Sequence, residues 1–263
     1  MNRINKLFSN LKKAKKKALI VYITAGDPDM GVTEKLVHEL ADNGADLIEL
    51  GIPFSDPLAD GPTIQKASQR SLLRGTNIES ILRMVRVLRK SVETPLVFMT
   101  YYNLILHYGL KKFVKDSKAS GADGIIVPDL PPEEAGDLMG ISKEADFSVI
   151  FLAAPTSTKS RLKIIAGKST GFIYYVSLTG VTGTRKTLPS DIVEHVKTLK
   201  KITKKPICVG FGISGPDQAK KISKIADGVI VGSAVIKIIE KSSRAVLYKR
   251  VGNFVKGLKK AIS

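Results

Sequence analysis

Gly44-Ala45-Asp46-Leu47-Ile48-Glu49-Leu50 sets a pattern: small residues, an aspartate, then a short apolar strand. The pattern returns as Gly121-Ala122-Asp123-Gly124-Ile125 and as Ala226-Asp227-Gly228-Val229-Ile230. Outward from these, β-branched apolar runs recur at Leu19–Thr24, Leu47–Leu50, Leu96–Thr100, Gly124–Val127, Val149–Leu152, Phe172–Val176, Ile207–Val209 and Val229–Val231. Each is followed by a polar or Gly/Pro loop and an amphipathic segment, such as Val32–Asn43, Ile78–Lys90, Leu110–Ala119, Asp191–Lys201 or Pro216–Ile225. Apolar strands alternating with helices form a parallel sheet covered by helices. Eight such units in 263 residues, with no linker-like stretch, predict an α/β chain folded as a single (β/α)8 TIM barrel over residues 1–263. An N-terminal helix is expected before the first strand. An open doubly wound sheet is the alternative.

Composition narrows the class further. Hydrophobic residues make up 43% and charged residues 25%, which excludes a disordered or collagen-like chain. The one cysteine, Cys208, forbids an internal disulfide and a cysteine-based zinc site. No run of about 18 apolar residues is present to span a membrane, and the basic stretch before Ala18 lacks a signal-peptide core. A cytoplasmic, reduced setting is expected. With 42 Lys+Arg against 24 Asp+Glu, the formal charge of +18 invites a nucleic-acid reading. The densest cluster is Lys12-Lys13-Ala14-Lys15-Lys16-Lys17; the other lysines are spread over helix-like segments, as on a solvated outer face. No zinc-finger or aromatic RNA-binding pattern accompanies them, and a positive field could equally attract a phosphorylated substrate or an acidic partner.

If the aspartates open the strands, they lie at the barrel's bottom, where polar residues serve stability, and active-site loops leave the opposite ends. Asp46, Asp123 and Asp227 therefore read as structural. Glu49 is the unusual residue, sharing a strand face with Leu47 near the strand's C-terminal end. An ionised carboxylate buried there is costly unless paired or functional, and desolvation suits it to proton transfer near neutral pH. The alternative is a Glu satisfied by a Lys or Tyr partner. The loop after it, Gly51 to Thr63, has three prolines and two aspartates, Asp56 and Asp60. Asp60 is either the turn that opens a helix at Pro62 or a second catalytic carboxylate held close to Glu49. Asp129 is expected to cap the helix that follows it.

After the seventh run comes Gly210-Phe211-Gly212-Ile213-Ser214-Gly215, and after the eighth Gly232-Ser233-Ala234. Glycine turns at these two strand ends predict a phosphate cup. The first stretch also matches G-x-G-x-x-G, but no acid ends the next strand to hold a ribose, so the dinucleotide reading fails. The loop after the sixth run, Leu178 to Lys186, is rich in Gly, Thr and cations and is expected to act as a lid. His38, His107 and His195 form no metal spacing, and no metal site is expected.

These residues resemble the tryptophan synthase α subunit family over nearly the whole chain. The likeness rests on Thr24-Ala25-Gly26-Asp27-Pro28, the fifteen-residue stretch from Glu49 to Thr63, Gly180-Val181-Thr182-Gly183, Gly210-Phe211-Gly212-Ile213-Ser214 and Gly232-Ser233-Ala234. The resemblance implies retro-aldol cleavage of indole-3-glycerol phosphate to indole and glyceraldehyde 3-phosphate, within L-tryptophan biosynthesis. It matches Glu49 with the acid/base residue and Asp60 with the carboxylate that bonds the indole N–H. Gly183, Gly212, Gly232 and Ser233 fall on phosphate-binding positions, and Thr182 on a lid threonine that orients Asp60. Tyr22, Tyr101, Ile126, Tyr174 and Phe211 line up with the indole pocket; Tyr22 stands where Phe is expected and Leu178 where some members carry Arg.

The resemblance also implies a β-subunit partner in an αββα assembly, with pyridoxal phosphate on that partner and no cofactor here. Loops near Asp56, Asp129 and the lid would face it. Two other readings are a stand-alone indole-releasing lyase and a basic phosphate- or nucleic-acid-binding barrel with Lys12–Lys17 as its arm.

Overall fold

The computed structural model describes residues 2–176, 190–210 and 212–263. Among these, nine strands form one parallel sheet: β1 (Ala18–Thr24), β2 (Leu47–Gly51), β3 (Leu96–Met99), β4 (Gly124–Ile126), β5 (Ser148–Ile150), β6 (Leu152–Ala153), β7 (Ile173–Val176), β8 (Ile207–Gly210) and β9 (Gly228–Val231). Their order is β5-β4-β3-β2-β1-β9-β8-β7-β6, so the two ends of the sheet are consecutive in the chain. The sheet curls into a nearly closed (β/α)8 barrel, as expected, and the open sheet is excluded.

The fifth predicted run is the point of departure. Val149–Leu152 is two strands separated at Phe151, because the amides on one side of it are satisfied by hydroxyls. Val149 N–H donates to Thr170 Oγ1 at 2.7 Å and Phe151 N–H to Ser169 Oγ at 3.3 Å. Side chains just ahead of β7 thereby replace rungs of the ladder, and the barrel's seam falls there.

The five predicted helices are present as Met30–Asp42, Ile78–Leu88, Leu110–Ser120, Ser190–Ile202 and Pro216–Ser223. The expected N-terminal helix is Arg3–Lys13, and it has a specific place. Ile4 and Phe8 bury with Leu47, Val97, Ile126, Ile150, Phe172 and Cys208 in the barrel interior. Phe8 meets Phe172 with ring centroids 5.7 Å apart. Asn2 caps the helix and ties it down: its Oδ1 accepts from Ile4 N–H, while Nδ2 donates to the Asp123 carbonyl at 3.0 Å and to Ser148 Oγ at 3.1 Å. The helix thus plugs the bottom, and Lys17 beyond it donates to the Ala226 carbonyl. The helix packs through Ile4 and Phe8, while Lys12, Lys13, Lys15 and Lys16 at and just beyond its far end stay exposed.

The three strand-opening aspartates are structural, as expected, by one repeated device. Asp46, Asp123 and Asp227 each donate a backbone N–H to the carbonyl of Leu19, Leu96 or Ile207, at 2.8 Å in every case. Each carboxylate accepts the N–H of that same residue, at 2.6, 3.0 and 3.0 Å. Among the described residues, no helix is long and apolar enough to cross a membrane.

Candidate active site

Alternation along β2 turns Ile48 and Leu50 outward to the helices while Leu47 faces the interior. Glu49 shares Leu47's face, opposite Tyr22 of β1 and Val97 of β3 in register. It is 0% exposed, and neither Oε1 nor Oε2 has a hydrogen-bond partner among the described residues. No Lys or Tyr among them satisfies it. Burial alone pushes its pKa up to about 8, so the carboxyl holds its proton at neutral pH.

Asp60 is held by its loop. Its N–H donates to the Pro57 carbonyl at 3.0 Å, and the Gln65 side-chain amide donates to its carbonyl at 2.9 Å. A helix does open at Pro62, but Gly61 is its N-cap and no side chain caps it. The Asp60 carboxylate is free of that duty. Burial raises its pKa to about 6, offset in part by a hydrogen bond from the Tyr101 hydroxyl. Tyr101 also accepts the Ala59 N–H at 2.9 Å and stacks on Phe54, with centroids 5.2 Å apart. Two carboxyls of different protonation thus stand at one mouth: Glu49 neutral and Asp60 ionised near pH 7.

Tyrosines surround them. The Tyr22 and Tyr174 rings lie over glycines of the neighbouring strands: a Cβ on Gly51 would meet the Tyr22 hydroxyl at 2.1 Å, and one on Gly210 the Tyr174 hydroxyl at 2.8 Å. Burial and the nearby charge of Glu49 push the Tyr174 phenol well up. Ile126 is fully buried in the interior cluster.

Of the expected cup, Gly212 has φ +42° and, among the described residues, nothing within 4 Å of where a Cβ would lie. Gly232 is the N-cap of the helix Ser233–Glu240, which has no side-chain cap and no acid in its first turn, an N-terminus suited to an anion. Gly183, Thr182, Phe211 and Leu178 lie outside the described residues. Asp129 departs from expectation: it lies at the start of an earlier helix, Tyr102–Tyr108, accepting the Tyr102 N–H at 2.9 Å. Sequence reasoning also missed Arg70, whose Nε and Nη2 both reach buried Asp27 at 2.8 Å while Nη1 reaches Glu240 at 3.0 Å. Asp27 was visible in its motif; a partner 43 positions away had no local signal. Among the described residues no cluster of His, Cys, Asp and Glu could hold a metal.

A parallel barrel with two unequal carboxyls at the C-terminal ends of its strands, beside glycine turns on its last two strands, is a barrel enzyme built for proton transfer on a phosphorylated substrate. The family model described as tryptophan synthase alpha chain matches residues 8–263. The tryptophan synthase alpha chain of Geotalea uraniireducens is 48% identical over 262 residues, covering 100% of this chain and 98% of that one. That of Geobacter sulfurreducens is 47% identical, with coverage of 100% and 99%. The crystal structure of tryptophan synthase subunit alpha from Legionella pneumophila superposes with a TM-score of 0.93 at 40% identity, covering 100% and 98%. The chain belongs to the tryptophan synthase alpha chain family. It is a carbon–carbon lyase of L-tryptophan biosynthesis that cleaves indole-3-glycerol phosphate to indole and glyceraldehyde 3-phosphate. A nucleic-acid-binding barrel without lyase activity finds no support.

Proposed function

We propose that Glu49 and Asp60 divide the chemistry of this cleavage between them. Indole is a poor carbanion leaving group, so C3 must gain a proton before the carbon–carbon bond breaks. Glu49, protonated in the empty site, gives that proton to C3. Asp60 accepts the indole N–H and stabilises the resulting cation. The Glu49 carboxylate then takes the proton of the adjacent chain hydroxyl. The oxygen's electrons form the aldehyde, the C–C bonding pair returns to C3, and Glu49 ends protonated as it began. Only protons move within this scheme, so it calls on no cofactor.

The observation that carries the reading is a fully buried Glu49 carboxyl with no hydrogen-bond partner among the described residues. Around it, Gly212, Gly232 and Ser233, with Gly183, take the phosphate. Tyr22, Tyr101, Ile126, Tyr174 and Phe211 enclose the indole, and Thr182 orients Asp60 as the lid closes. The chain is proposed to act in the cytoplasm, joined to a pyridoxal-phosphate-bearing β subunit in an αββα assembly. Leu58, on the loop that carries Asp60, is 92% exposed and suits such a contact.

Indole release by the purified chain, with and without a β subunit, tests both parts. Glu49→Gln is expected to lower kcat by about 10²- to 10⁴-fold, and the partner to raise the wild-type rate. Undiminished release by Glu49→Gln would refute the acid/base role. A wild-type rate indifferent to the β subunit would favour the stand-alone lyase.

A further inference from the structure

Tyr22 is more than a wall of the indole pocket. It shares the inward face of β1 with Ala18 and Ile20, which lie in the barrel interior. One end of its side chain abuts the proposed phosphate cup: a Cβ on Gly232 would lie 3.3 Å from Tyr22 Cβ and 3.4 Å from Cδ1. The other end, the hydroxyl, occupies the space above Gly51, 2.1 Å from where a Cβ would stand. Gly51 is two residues beyond Glu49 on β2 and so on the same strand face. The ring therefore spans the distance from cup to carboxyl, and only glycine at position 51 leaves room for it.

The hydroxyl is poorly satisfied. Tyr22 is 6% exposed, and its one hydrogen-bonding neighbour among the described residues, Thr24 Oγ1, lies at 3.3 Å. A good O–H···O bond is about 2.7–2.8 Å. A buried donor left this loose is available to a ligand. On the proposed reading, the substrate's three-carbon chain with its two hydroxyls lies between phosphate and indole, over this ring. The indole's own polar atom, its N–H, is already assigned to Asp60 and is itself a donor.

We infer that the Tyr22 hydroxyl is a substrate-positioning group that donates a hydrogen bond to a hydroxyl of the glycerol chain, selecting hydroxylated over deoxygenated indolyl phosphates. Burial, with Asp60 and Glu49 nearby, pushes the phenol's pKa up, so it stays an O–H donor throughout the working range.

The test pairs Tyr22→Phe, which keeps the ring, with two ligands of the whole chain. Indole-3-glycerol phosphate is followed by kcat/KM, and 3-indolylpropyl phosphate, which lacks both chain hydroxyls, by its inhibition constant. Loss of one neutral hydrogen bond predicts a fall of about 3- to 10-fold in kcat/KM, with the inhibition constant changed less than about twofold. Equal losses for both ligands, or none for either, overturn the inference. Thr24→Val separates a structural effect: if it reproduces the selective loss, the hydroxyl pair rather than the Tyr22–substrate bond is responsible, and the inference fails. A wild-type chain that binds the deoxygenated analogue but not the substrate also overturns it. One that handles neither overturns the reading of the site on which it rests.

Discussion

Asp46 lies just before β2 and Glu49 three positions on at its centre, and their surroundings are opposite. At the bottom, the Asp46 carboxylate accepts the Leu19 N–H and meets Lys259 Nζ at 2.5 Å. Asp123, only 2% exposed, accepts the Leu96 N–H and is flanked by Arg89 at 2.7 Å and Arg3 at 3.2 Å. At the top, Glu49 is as deeply buried and has neither amide nor cation among the described residues. Burial therefore does not separate structural from chemical carboxylates in this barrel. Partners do: the bottom groups each accept a backbone amide and face a Lys or Arg, while the top group is buried without a partner among the described residues, which pushes its pKa up.

The sharpest way to break the comparison is to strip a bottom carboxylate. Asp123→Ala leaves Arg89, whose side chain is 9% exposed, with the backbone carbonyls of Val92, Thr94 and Gly121 but no carboxylate and is expected to cost about 3–5 kcal/mol of unfolding free energy. Urea titration measures it, and molecules still folded should retain their kcat. A loss under about 1 kcal/mol would mean that the device is dispensable.

Glu49→Gln should behave in the opposite sense. The folded-state pKa is raised, from the usual 4.5 to about 8, so the unfolded chain releases a proton that the native chain keeps. Wild type therefore loses stability relative to Glu49→Gln as pH climbs from about 4.5, by an amount on the order of a few kcal/mol, and the gap levels off above about pH 8. Thermal melts of both proteins across this range give the answer. Parallel curves would show that Glu49 is not desolvated in solution.

The same two groups shape activity. With Asp60 needed ionised and Glu49 needed protonated, kcat/KM should fall below a pH of about 6 and above about 8. A profile rising steadily past pH 9 would reverse the assignment of Glu49 as the acid. The smallest effect is expected at Asp46→Asn. It keeps an acceptor for the Leu19 amide and weakens a half-buried ion pair, for about 1 kcal/mol by chemical denaturation and no change in indole release.

Much of this was legible in sequence because it depends on short-range periodicity. Alternation in Leu47-Ile48-Glu49-Leu50 put Glu49 on one buried face with Leu47, and apolar runs with glycine and proline loops counted out the barrel. What was hidden depends on partners far along the chain. The break at Phe151 is made by Ser169 and Thr170, 18 and 21 positions from the amides they take. Asp129 accepts the N–H of Tyr102, 27 positions back. No local pattern could separate a catalytic Glu49 from a satisfied one, because the lack of a partner is a property of the whole packed interior. The slot above Gly51 is likewise defined by a side chain from another strand.

The helix Arg3–Lys13 fills one end of the barrel with Ile4 and Phe8, and this makes the catalyst a blind-ended vessel. One reactant must arrive and two products depart past a shared rim. Turnover therefore depends on product departure past that rim as well as on how fast the bond is cut.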